Sequence, residues 1–230
     1  LGFAGLMGSG RTETVRALFG ADRPDAGQAF FGEETAPACI RQPRDAVRRG
    51  LALLTENRNE QGLLLPRPVR DNLTLAHLRP LSRRGWLRRA AERLVAATWI
   101  RRLDIRCASA EQPVVELSGG NQQQVLLARW LYRVCPILIV DEPTLGIDIG
   151  AKFEIYRLLR ALAQQGKAVL MVSSDLLELL ALCDRIAVMS AGRLAAIFTR
   201  GAWSQDQIMA AALSGYLGSR PAAHTAPAHP

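Results

Sequence analysis

The sequence predicts an α/β fold with a mostly parallel sheet, and three observations carry that expectation. PILIVDEP, residues 136–143, is an apolar run that ends in two carboxylates, the pattern of a strand buried on both faces. AVLMVSS, residues 168–174, is a second such run, and a helical pattern over about 150–165 separates the two. Residues 2–4 read as the end of a third strand, followed by a glycine-rich turn and a helical pattern through Thr12, Val15, Leu18 and Phe19 that Gly20 stops.

The remaining elements follow in order. GQAFFG (27–32) reads as a short strand and LALLT (51–55) as a buried one. From Pro66 to about Val134 the periodicity is mostly helical. Asp71 is placed to cap a run through Leu73, Leu75 and Leu78, and an arginine-studded helix runs from Arg83 to about Leu103. Ser118 is placed to cap a further helix whose buried side includes Leu127, Trp130, Leu131 and Val134. RIAVM and RLAAIF, separated by Ser190, Ala191 and Gly192, predict a β-hairpin. The end, 216–230, is rich in Pro and Ala without periodicity and reads as a loose tail after a domain at 1–215.

A chain of 230 residues with 49% hydrophobic and 22% charged residues is the size and composition of one well-buried globular domain. Cys39, Cys107, Cys135 and Cys183 are scattered without a CxxC pair, which suits thiols in a reducing compartment. No apolar run approaches the ~20 residues of a membrane-spanning helix. The net charge of +8 raises nucleic acid, anionic lipid and phosphate as partners. It is carried almost wholly by arginine, Lys152 and Lys167 being the two lysines, so a compositional habit accounts for much of it. LSRRGWLRRAAERL (81–94) reads as a solvated helix face, and no aromatic platform for nucleic acid accompanies it. His77, His224 and His229 read as surface residues.

Three motifs carry chemistry. In GLMGSGRTET (5–14), Gly5, Gly8 and Gly10 stand in the register of a loop whose backbone N–H groups wrap phosphates, and Thr12 supplies a hydroxyl for magnesium. Arg11 stands where such loops place a lysine, and a planar guanidinium cannot curl into the space of an ammonium. At the end of PILIVDEP, Asp141 can hold Mg²⁺ and Glu142 can orient or deprotonate a water. LSGGNQQQVLLARWL (117–131) sets two glycines at a helix N-terminus, where uncovered amides favour an anion.

With these residues in this order the sequence resembles the ATP-binding subunits of ABC transporters, whose signature LSGGQ is matched by Leu117, Ser118, Gly119, Gly120 and Asn121. The match covers roughly residues 1–200. GGN followed by QQ, GRTE, FGADRP (19–24) and TENR (55–58) together look most like the second nucleotide-binding domain of monosaccharide importers, in which two such domains are fused.

The resemblance implies a RecA-like P-loop NTPase with an inserted helical subdomain at about 66–134 and a partial antiparallel β-subdomain. It implies ATP and Mg²⁺ as ligands. Nucleotide contacts fall on Gly5, Gly8, Ser9, Gly10, Arg11 and Thr12, and on Ser118, Gly119, Gly120, Asn121, Gln122 and Asp148 toward a partner domain. Magnesium falls on Thr12, Asp141 and Glu56; the catalytic positions are Glu142, Glu56 and Ser174.

Three of these depart from the family. Arg11 replaces lysine, Glu56 replaces the Q-loop glutamine, and Ser174 replaces the switch histidine, so this domain's own site is expected to turn over weakly. The implied partners are a second nucleotide-binding domain fused N-terminally, a membrane permease contacted by Asn57 to about Leu78, and indirectly a solute-binding protein. The implied place is the cytoplasmic face of the inner membrane. The alternatives are a regulatory module that binds nucleotide without chemistry and a soluble ABC protein of nucleic-acid metabolism.

Overall fold

A computed structural model describes residues 1–217. In chain order the elements are β1 (Gly2–Gly5), α1 (Arg11–Phe19), α2 (Pro43–Arg48), β2 (Leu51–Leu54), α3 (Val69–Thr74), β3 (Ser82–Arg83), β4 (Trp86–Leu87) and α4 (Arg89–Arg102). Then come α5 (Gly119–Tyr132), β5 (Ile137–Asp141), α6 (Ile149–Gln164), β6 (Ala168–Val172), α7 (Leu176–Leu182), β7 (Arg185–Ser190), β8 (Arg193–Thr199) and α8 (Gln205–Leu217). They fall into two compact units, one of Leu1–Arg11 with the chain from Ser174 on, the other of Thr12–Ser173.

The Thr12–Ser173 unit is built on three parallel strands, with Leu51 opposite Ile137 and Ile137 opposite Ala168. All four residues of β2 and the last four of β5 are buried, as expected of parallel strands covered on both faces. α6 turns Ile155, Leu159 and Leu162 inward at helical spacing. α5 buries Leu127 and Leu131, but Val134 lies beyond its end at φ 61 and is exposed, contrary to the sequence expectation.

Three further expectations in this unit change. GQAFFG forms no strand; a hydrogen bond from Ala38 N–H to Ala29 O (2.7 Å) crosses the segment, while Gly27 and Gly32 take positive φ that breaks an extended run. Asp71 does not cap α3: Pro68 holds that position, and the Asp71 carboxylate pairs with Arg70 at 2.8 Å. The run beyond Thr74 breaks into two 3-10 turns, the second containing Pro80.

The arginine-studded helix begins at Arg89. Arg84 (φ 52) and Gly85 (φ 84) form a two-residue turn of the kind that suits the twist of a hairpin, and β3 and β4 pair across it. The arginines of 81–94 are exposed, as expected of a solvated face, and the helix also carries one buried carboxylate. Buried Glu92 accepts from Arg70 (2.6 Å), Arg89 (3.1 Å) and the Thr74 hydroxyl (3.0 Å), while Arg93 reaches Glu111 at 3.0 Å.

In the other unit β1 runs parallel to β7, with Gly2 opposite Ile186, and β7 pairs antiparallel with β8 through the turn at Ala191 and Gly192, as the hairpin pattern predicts. α8 has no counterpart in the sequence reading. The Ser190 hydroxyl ties it to β7 by donating to Ala212 O (2.6 Å) and accepting from Gly215 N–H (2.9 Å). The expected tail lies outside the described residues, apart from Tyr216 and Leu217, which end α8. Among the described residues no helix is long and apolar enough to cross a membrane.

Candidate nucleotide site

The loop after β1 holds Gly5, Gly8, Ser9 and Gly10. Gly8 and Gly10 sit at φ 73 and 95, where a side chain is strained. A Cβ at Gly5 would fall 2.5 Å from both Met189 O and the Ser9 hydroxyl, so the loop closes only on glycine. Ser9 is buried, and its Oγ has no hydrogen-bond partner among the described residues. A buried hydroxyl inside a ring of turned backbone is a donor set that fits a phosphate oxygen. Arg11 is buried at the head of α1. In the same unit Ser174 is exposed, and the adjacent Asp175 caps α7 by accepting from Leu177 N–H at 3.0 Å.

In the Thr12–Ser173 unit, Thr12 Oγ1 donates to Asp141 Oδ1 at 3.3 Å. Asp141 is 1% exposed at the end of β5, and Thr12 opens the first turn of α1. Both line a cavity of about 370 Å³ that Glu56 also lines. The Thr55 hydroxyl lines it too, and its buried oxygen has no hydrogen-bond partner among the described residues. A hydroxyl, a buried carboxylate and a second carboxylate are the hard oxygen donors that Mg²⁺ takes. Among the described residues no group of three or more His, Cys, Asp or Glu could hold a metal alone, so phosphate and water oxygens would have to complete the shell.

Glu142 follows Asp141 at φ 46, in the left-handed region, its N–H donating to Val172 O at 2.9 Å. It is not among the described residues that line the cavity.

Arg16, Asp22 and Gln61 also line the cavity, and sequence reasoning missed all three. Arg16 donates to both Asp22 oxygens (2.6 and 2.8 Å) and to Gln61 Oε1 (3.3 Å). That bidentate pairing holds the Arg16 guanidinium above its ordinary value and the Asp22 carboxyl below the usual carboxylate range. The signal for Arg16 was available: four residues after Thr12, it shares that residue's helix face.

The signature segment lies elsewhere in this unit, and none of Ser118–Gln122 lines the cavity. Ser118 caps α5 as predicted, its Oγ accepting from Asn121 N–H (3.5 Å) and Asn121 Nδ2 (2.8 Å). Gln122 is buried, its Nε2 donating to Val114 O (3.2 Å) and Leu117 O (3.3 Å). A Cβ at Gly120 would meet Ala151 Cβ at 2.5 Å, and one at Gly119 would meet the Arg58 guanidinium at 2.8 Å. The two glycines therefore admit close neighbours, and Gly120 is buried rather than uncovered as the sequence suggested. Asp148 caps α6 by accepting from Ala151 N–H at 3.0 Å.

A strand, a glycine-turned loop and a helix, with an acidic strand end bonded to the helix's first hydroxyl, define a P-loop nucleotide-binding protein. The sequence profile described as ABC transporter matches residues 1–145, and the chain belongs to that family.

The chain is 54% identical over 211 residues to the putative ribose/galactose/methyl galactoside import ATP-binding protein 3 of Burkholderia cenocepacia (strain HI2424), covering 91% of this chain and 40% of the relative. It is 46% identical over 215 residues to the ribose import ATP-binding protein RbsA of Geobacillus kaustophilus (strain HTA426), covering 94% and 43%. It thus spans about two fifths of the length of these relatives.

Among solved structures, the ATP-binding cassette MJ0796, dimeric in a post-hydrolysis state bound to ADP and Pi, superposes with TM-score 0.71 at 22% identity, covering 88% of this chain and 85% of that one. A nucleotide-free ATP-binding cassette from an ABC transporter gives 0.74 at 20% identity, covering 93% and 83%. The fold is that of the P-loop NTPase cassettes, mostly parallel in its sheet.

Proposed function

We propose that this chain is an ATP-binding and hydrolysing part of an importer for a monosaccharide, acting on a membrane permease at the cytoplasmic face of the inner membrane. The import and sugar assignment rests on the relatives' names. The ATPase assignment rests on one observation above the others: Thr12 and Asp141, hydrogen-bonded to each other, line one cavity with Glu56. Bound Mg²⁺, held by Thr12, Asp141 and Glu56, would neutralise phosphate charge. The loop at Gly5–Gly10 binds phosphate through its N–H groups and the Ser9 hydroxyl. Glu142 orients the attacking water and accepts its proton at the carboxylate.

This domain's own turnover is weak. Arg11 cannot enter the lysine's space, Glu56 adds negative charge beside phosphates, and Ser174 brings no positive charge to the γ-phosphate. Its larger contribution is made through Ser118, Gly119, Gly120 and Asn121, which complete the nucleotide site of a second domain fused N-terminally. Asp148 lies at that shared boundary, and Asn57 to about Leu78 contacts the permease. A solute-binding protein delivers the sugar.

The test is ATP turnover by the full-length parent chain with its permease. Ser118→Arg is expected to abolish it and Glu142→Gln to lower it far less. Equal losses would sink the asymmetric reading. Tight Mg·ATP binding with turnover untouched by either change would point to a regulatory module.

A further inference from the structure

We propose that Arg58 is a positioning residue that clamps the turn at Leu145–Gly146 to the N-terminus of α5, using the same short segment that carries Glu56. Its Nη1 donates to Leu145 O at 2.8 Å and its Nε to Gln122 Oε1 at 3.2 Å. Its Nη2 lies against Gly119, where an added Cβ would come within 2.8 Å of it, and the same Cβ would be 3.1 Å from Gly146 O. One half-buried guanidinium thus bridges two segments far apart in sequence from its own, and a side chain at position 119 would displace it.

The anchorage is firm at each end. Gln122 is held by two carbonyls through its other amide atom, so it offers Arg58 a fixed acceptor. Within the turn, Leu145 N–H donates to Glu142 O at 3.1 Å and Ile147 N–H to Thr144 O at 3.3 Å, so these bonds shape the turn but do not themselves tie it to α5. Arg58 N–H donates to Glu56 O at 3.2 Å, so the residue that lines the cavity and the residue that clamps the turn are joined within one short backbone turn. A displacement of Glu56 on nucleotide binding is passed through Arg58 to the turn between Glu142 and Asp148. Lysine could reach one acceptor but not both, because the two bonds leave from different nitrogens of a planar fork.

The functional half of this inference rests on the ATPase reading given above; the clamp does not. Amide hydrogen exchange in the full-length parent chain tests the clamp with wild type, Arg58→Lys and Arg58→Ala. In Arg58→Ala, exchange should rise at 145–151 and at 119–124 while the β5 amides at 137–141 keep their protection. Arg58→Lys should restore 145–151 and leave 119–124 raised. No change at either segment, or a rise that includes β5, overturns the clamp. ATP turnover with the permease tests the coupling: Arg58→Ala should lower kcat on the order of tenfold and leave KM within about twofold. Unchanged kcat despite raised exchange overturns the coupling. Absence of turnover in wild type overturns the ATPase reading and leaves the clamp to be judged by exchange alone.

Discussion

Arg129 illustrates how much one buried side chain organises. It is 7% exposed and meets no carboxylate among the described residues; its Nε and Nη2 donate to Asn72 O (2.6 Å) and Asn72 Oδ1 (3.1 Å), and its Nη1 to Gly62 O (2.6 Å). Burial pushes the guanidinium down to about 10, so it stays charged at neutral pH on carbonyl dipoles alone. It joins α5 to the start of the helical segment and to the end of the turn that follows Glu56. Arg129→Met should lower stability by about 2–4 kcal/mol, since both carbonyls lose a charged donor where water cannot replace it. The midpoint of urea unfolding measures this, and a shift under about 0.5 kcal/mol would show that the neighbours repack around the loss.

Elements held by local rules were legible in the sequence. β2, β5 and β6 announced themselves as short apolar runs, and the cap of α5 followed from Ser118 ahead of two glycines. Elements whose signal is masked by composition were not. The β3–β4 turn is an Arg-Gly pair inside an arginine-rich run that reads as helix, and α8 buries only Ile208 and Ala212, which give weak periodicity. Its start was readable all the same: Ser204 Oγ accepts from Gln207 N–H (3.2 Å) and Gln207 Oε1 accepts from Ser204 N–H (2.9 Å), the reciprocal pair of a capping box. Ser204→Ala should cost about 1 kcal/mol and lower the thermal midpoint. An unchanged midpoint would mean the cap is dispensable once Ser190 holds the helix.

The candidate site divides the same way. Gly5 to Thr12 and Asp141 lie in contiguous motifs and could be named from the chain alone. Gln61 and Arg58 matter through partners far away in sequence, which no local pattern encodes.

At the scale of the whole molecule, ligand binding should register as stability. Mg·ATP at about 100 times its dissociation constant should raise unfolding free energy by about 2.7 kcal/mol. Asp141→Asn should remove the magnesium-dependent part of that gain. A thermal shift scan with ATP alone, with magnesium alone and with both separates the terms, and no shift with both would count against nucleotide binding.

The unit that contains the phosphate loop also places a timing demand on synthesis. Gly2 takes its β7 register from Ile186, near the far end of the described chain. Translation proceeds at about 5–20 residues per second, so roughly 10–40 s pass between the ribosome's release of β1 and the arrival of that partner. Through that interval the glycine loop has no Met189 carbonyl to close against, and an apolar strand waits in the company of chaperones and other nascent chains. Slowing translation between α7 and β7 should lengthen that exposure, making this four-residue strand sensitive to the pace of its own manufacture.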